Sequence, residues 1–185
     1  MATIIYKTDN FLNNLQPDSG VPAGMLLCNA VKYTVPSATL LHSSPDRLYL
    51  MSLPKDAILT DVKVAVSDCG SSAAFDLGLA YKNYETVSSV EKVPGDEIDF
   101  NGIFAAAPIA TGPTAMSFYH YINHGDATLA TEAHANKYIG ALGKNYKLLY
   151  DSILVFTPSG AATDASATIE VCVLYFMDYG QDLST

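Results

Sequence analysis

Five side chains with ligand chemistry fall close together in "HYINHGDATLATEAH": His120, His124, Asp126, Glu132 and His134. Imidazole nitrogens and carboxylate oxygens are the donors a zinc or similar ion takes, so the cluster first suggests a metal site. The spacing works against it. On a strand, residues four apart share a face but stand about 13 Å apart at roughly 3.3 Å per residue, too far for one ion. The HxH-plus-Glu arrangement of cupin-type metal sites is also missing, and the sequence predicts no metal.

Other candidates fail in similar ways. "EIDFNG", Glu97 to Gly102, opens like a calcium loop with oxygen side chains at alternate positions, but the position that needs a bidentate Glu is Pro108. A solvated acidic turn is the plainer reading. "GALGKN" has its glycines too close and Asn145 where a phosphate loop needs Ser or Thr. No G-x-S-x-G elbow is present, and Cys69 stands in turn-like sequence without a group to activate its thiol. The carboxylate pairs Asp96/Glu97 and Asp61/Asp76 are explained by charges alternating along strands. The expectation is therefore a protein without catalytic residues and without a cofactor.

Composition sets further bounds. The 185 residues suit one domain, or one domain with an arm. The three cysteines, 28, 69 and 172, show neither zinc spacing nor an even count, which predicts reduced thiols. The start has no basic segment followed by an apolar one, so synthesis is expected to end in the cytoplasm. The uncharged stretch between Asp99 and Asp126 is broken by Pro108, Gly112 and Pro113 and does not read as a membrane span. A net charge of -9, with Arg47 the single arginine, argues against nucleic-acid binding. The charged fraction of 16% beside 49% apolar residues leaves little to solvate a free surface, which predicts a homo-oligomer.

The elements that would position these residues are mostly strands. Residues 1–44 show short apolar clusters between Pro/Gly-rich breaks and read as an extended arm. Met1 to Leu15 would span about 45–50 Å at roughly 3.3 Å per residue, enough to reach a neighbour. Ile4, Ile5, Tyr6, Phe11 and Leu12 are its expected contact residues. From 45 to 185 a β-sandwich is predicted. Arg47, Tyr49, Met51 and Leu53 share one side of a first run; Thr60, Val62, Val64 and Val66 alternate in the next; Phe75, Leu77, Leu79 and Tyr81 follow after "SDCGSS", and the last two runs read as a hairpin.

"DFNGIFAAA" reads as a short helical turn, "AMSFYHYI" as a strand, and "TEAHANKYIGALG" as a short helix capped by Thr131 and stopped by Gly143. "YDSILVFT" and "ATIEVCVLYF" read as a terminal hairpin. In the last strand Ile169, Val171, Val173 and Tyr175 form one face, while Cys172, Leu174 and Phe176 make the other face apolar too, predicting cover on both sides: for these three a contact with another chain, with a helix or loop of the same chain as the rival cover.

The order of "SLPKDAILTDVKVAVSD", "AAFDLGLAY", "DFNGIFAAA", "YIGALG", "YDSILVFT" and "SATIEVCVLYF" resembles small virion proteins of tailed bacteriophages. Leu53 to Ala57, Leu-Pro-x-x-Ala, and Asp76 to Gly78, Asp-x-Gly, carry it most closely, over about 130 residues. The resemblance is to decoration (cement) proteins, and it implies a jelly-roll β-sandwich on the outside of the capsid, commonly a trimer, with the major capsid protein as partner and no catalytic residues. A head fibre, a tail-associated module or a glycan-binding receptor domain is the alternative, in which tyrosine-rich loops such as "YKNYE" and "SFYHYINH" stack on sugars.

Overall fold

The computed structural model describes residues 5–8, 26–36, 46–67, 73–108, 114–117, 142, 146–160 and 166–178. The strands are β1 (Ile5–Lys7), β2 (Leu26–Thr34), β3 (Arg47–Leu53), β4 (Ala57–Val66), β5 (Ala73–Tyr81), β6 (Glu85–Val87), β7 (Val90–Lys92), β8 (Glu97–Pro108), β9 (Thr114–Ser117), β10 (Ser152–Gly160) and β11 (Thr168–Met177). One sheet has the order β1-β3-β10-β5-β8 and the other β2-β11-β4-β9, with β6 and β7 forming a separate hairpin. Without β1 and the hairpin, eight strands remain among the described residues, four in each sheet, and chain neighbours alternate between sheets except for β5 and β8, which pair within one sheet, as in a jelly roll. The all-β sandwich expected from the sequence is the fold observed.

Alternation places the core. Val62, Val64 and Val66 of β4, Phe75, Leu77 and Leu79 of β5, and Ile169, Val171, Val173 and Tyr175 of β11 all point between the sheets, as their period of two requires. Phe75 stacks on Phe156 of β10 at 4.9 Å between ring centroids, with the two planes only 10° apart. Phe104 of β8 meets Phe75 edge-on at 6.0 Å. Burying such rings is worth roughly 1.5–3 kcal/mol each before the aromatic geometry adds to it.

Several expected pairings are corrected. β4 and β5 lie in different sheets, so the chain around "SDCGSS" joins two layers instead of closing a hairpin. β10 and β11 do the same at the other end. Turn chemistry cannot distinguish the two cases, because an arch between sheets and a long hairpin loop both use Gly, Ser and Asp. "DFNGIFAAA" is strand β8, not a helical turn. Its alternation is hidden by register shifts against β5 and by a left-handed Ala106, φ 47°, whose N–H donates to Asp76 Oδ1 at 2.6 Å.

β3 also departs from simple alternation. A register shift against β10 between Leu154 and Val155 leaves one extra residue in β3. Tyr49 consequently lies on the outside, while Met51 and Leu53 join the central core. Leu26–Thr34, read from the sequence as part of an irregular arm over 1–44, is a full strand paired with β11 along its length. Its period was masked because Leu26, Cys28 and Ala30 are apolar on the outward face as well. Of the remaining expectations, the helix over 131–143, apart from Leu142, and most of "AMSFYHYI" lie outside the described residues.

The outer face of the β3-β10-β5 strands is sealed by the chain itself. Tyr49, Ala80, Ile153 and Val155 form a second buried cluster there, with Phe100 packed against it. The Arg47 guanidinium lies 3.9 Å from the Phe100 ring centroid, a cation–π contact. Two glycines permit this closure. Gly78 has no side chain where the main chain of Asp99 and Phe100 crosses it, and Gly95, at φ +93°, turns the chain so close to Tyr49 that a Cβ would stand 2.5 Å from its hydroxyl. Gly78→Ala would force β8 off the sheet, and the expected loss is about 1–3 kcal/mol in the urea unfolding free energy. A change below about 0.5 kcal/mol, the range of ordinary surface substitutions, would contradict this close approach.

Candidate functional site

Among the described residues no layer of chain crosses the outer face of the second sheet in this way. Register fixes its composition row by row. Phe176 stands between Leu26 of β2 and Ile58 of β4; Leu174 between Cys28 and Asp61; Cys172 between Ala30 and Lys63; Glu170 between Lys32 and Ala65. The face therefore grades from an apolar end to a charged end, where Lys32 and Glu170 form an exposed ion pair. Exposure is uneven across it: Leu26 at the apolar end is 60% exposed, Cys172, Leu174 and Phe176 are half-buried, and Asp61 beside Leu174 is buried.

At the border of the apolar end Lys147 Nζ reaches Asp178 Oδ2 at 3.1 Å and Asp56 Oδ1 at 3.2 Å. Both bonds hold the Lys147 ammonium above its ordinary range. The pair ties the segment before β10 to the turn entering β4. Thr60, at the register shift between β4 and β11, donates its hydroxyl to the Leu174 carbonyl at 2.8 Å and fixes the strand that carries Leu174.

The two described cysteines meet on this same face. Cys28 Sγ and Cys172 Sγ are 3.1 Å apart, Cys28 exposed and Cys172 partly covered. Burial, and then the hydrogen bond and charge interaction with Cys28, push the Cys172 thiol up to about 11.

The N-terminal residues divide. Ile5 is 46% exposed, but Tyr6 packs against the chain's own core, and β1 adds to the edge of β3 as a parallel strand. Thr8 is buried, and its hydroxyl donates to the Leu50 carbonyl. Ile4, Phe11 and Leu12 lie outside the described residues.

The chemistry-bearing residues weighed in the sequence are dispersed. His120, His124, Asp126, Glu132 and His134 lie outside the described residues, and among those described no group of three His, Cys, Asp or Glu side chains is placed to hold a metal ion. Asp61 and Asp76 stand in different sheets. Asp96 Oδ2 accepts from the Val93 N–H and Glu97 Oε1 from the Phe100 N–H, so both serve local backbone. A shallow depression beside the β6–β7 hairpin is lined by Tyr84, Glu85, Thr86, Ser89 and Glu91, with Tyr84 69% exposed. Among the described residues no helix is long and apolar enough to cross a membrane.

No protein-family model matches the chain, and no curated protein matches it. Two solved structures share its fold. A chain from the capsid of Ralstonia phage GP4 superposes with a TM-score of 0.58 at 14% identity, over 95% of this chain and 99% of that one. A chain from the cyanophage Pam1 capsid asymmetric unit gives a TM-score of 0.51 at 11% identity, over 89% and 93%.

The thiol arrangement makes a direct expectation. A shift from 9.0 to about 11 leaves Cys172 about a hundredfold less thiolate at pH 8 than an ordinary thiol. Limited iodoacetamide at that pH is expected to label Cys28 well before Cys172, read by peptide mass mapping. Equal labelling would contradict the cover over Cys172.

Proposed function

We propose that this protein is a structural component of a bacteriophage particle, a decoration or cement protein that docks on the capsid and stabilises the shell. The observation that carries the reading is the likeness of fold, over nearly the full length of both partners, to chains from two phage capsids. The lopsided burial supports it. A sandwich sealed on one outer face and, among the described residues, carrying an exposed apolar end on the other has a rigid body and one face to offer.

On this reading the major capsid protein is the partner, and the chain assembles with itself, as a trimer. Cys172, Leu174 and Phe176, together with Leu26 and Ile58, form the docking row. Ile4, Ile5, Phe11 and Leu12 make additional contacts from the N-terminal segment, whereas Tyr6 serves the chain's own sandwich. A second reading, a glycan-binding virion module, draws on exposed Tyr84 in its shallow depression. Specific binding on a glycan array would favour it.

The docking row is tested with Leu174→Asp and Phe176→Asp, each placing a charge on an outward, half-buried position. Both variants are expected to fold, with melting temperatures within a few degrees of the parent, and to bind emptied phage capsids about tenfold or more weaker. Unimpaired binding by both would exclude this face. Light scattering on the parent is expected to give three times the 19.8 kDa chain mass; a monomer would remove the self-association.

A further inference from the structure

We propose that Cys28 and Cys172 are a redox-modifiable pair that closes to a reversible disulfide, stapling β2 to β11, when the chain meets a low-molecular-weight disulfide such as oxidised glutathione. Among the described strands β2 is the outermost of its sheet and pairs with β11. Cys28 is paired in register with Leu174, and Cys172 with Ala30, so the cysteines are diagonal neighbours on one face. Diagonal neighbours in a flat ladder stand too far apart for an easy bridge. Here the sulfurs already lie 3.1 Å apart, and closure requires about 1 Å of further approach.

The exposure of the two thiols sets the order of events. The open Cys28 thiolate attacks one sulfur of glutathione disulfide; the S–S bond breaks, one glutathione leaves and takes a proton from water, and Cys28 carries the other as a mixed disulfide. The Cys172 thiol loses its proton to solvent, its sulfur attacks the Cys28 sulfur in contact with it, the Cys28–Cys172 bond forms, and the second glutathione leaves as a thiol. Two protein thiols are oxidised and one glutathione disulfide is reduced to two thiols. The second step is intramolecular between atoms already in contact, so it outruns release of the adduct by a further glutathione. A reducing cytoplasm keeps the pair open and oxidising surroundings close it. The staple joins positions 144 residues apart, a separation at which a cross-link restricts the unfolded chain strongly.

The test incubates the intact chain with oxidised glutathione, removes the excess, and combines intact mass, thiol count in denaturant and non-reducing peptide mapping. The expected result is a loss of two hydrogens, a fall from three thiols per chain to one, a Cys28–Cys172 peptide, and a melting temperature several degrees higher that dithiothreitol reverses. Cys69→Ser should behave identically with one thiol fewer, while Cys28→Ser and Cys172→Ser should never lose the two hydrogens. A glutathione adduct that persists on the parent, a bond that involves Cys69 or a second chain, or a bridged chain that melts no higher than the reduced one would overturn the proposal.

Discussion

Burial of β3, β10 and β5 on both faces is the constraint on which the rest of the architecture depends. Leu48, Leu79 and Leu154 point into the space between the sheets, while Tyr49, Ala80, Ile153 and Val155 on the same strands point outward and are buried as well. Strands with two apolar faces cannot be left with one in water, so a layer of chain must cross the outer side. The main chain of Asp99 and Phe100 supplies it, and it fits because Gly78 offers no side chain in its path. The turn through Gly95, resting on Tyr49, returns the β6–β7 hairpin to β5, where the Gly95 N–H donates to the Tyr81 carbonyl and the Tyr81 N–H to that of Asp96.

This closure makes the molecule asymmetric, and the asymmetry has consequences for function. The sealed sheet gives a stiff wall, and the second sheet packs its inner face on that wall, while no described segment crosses its outer face. On that outer face the register sorts residues into an apolar end around Leu26, Ile58 and Phe176 and a charged end around Lys32 and Glu170. A graded face of this kind favours one docking orientation, because the charged end resists burial that the apolar end favours.

Much of the fold was legible in the sequence where a strand has one buried face. The inward residues of β4, β5 and β11 follow from period two alone, and so does the outward position of Cys172, Leu174 and Phe176. What the sequence hid were the departures from period two. The extra residue in β3 moves Met51 and Leu53 to the opposite side from Tyr49, and the irregular register of β8 imitates a helical turn. β2 escaped notice because apolar residues on its outer face erase the alternation, the same property that makes that face a candidate for contact. β10, read as half of a hairpin, is buried on both sides by the chain itself, as β3 and β5 are. Leu26, Ile58 and the closeness of Cys28 to Cys172 depend on pairings across more than a hundred residues, which no local pattern encodes.

The central proposal is that the outer face of the β2-β11-β4-β9 sheet is the docking surface of a virion protein. A reconstruction of the intact phage particle at side-chain resolution tests it most directly. The account predicts this sandwich on the shell with Leu26, Leu174 and Phe176 against a neighbouring chain and the face sealed by β8 turned away. A particle that lacks the protein, or one in which the row from Leu26 to Phe176 faces open solvent, would contradict it.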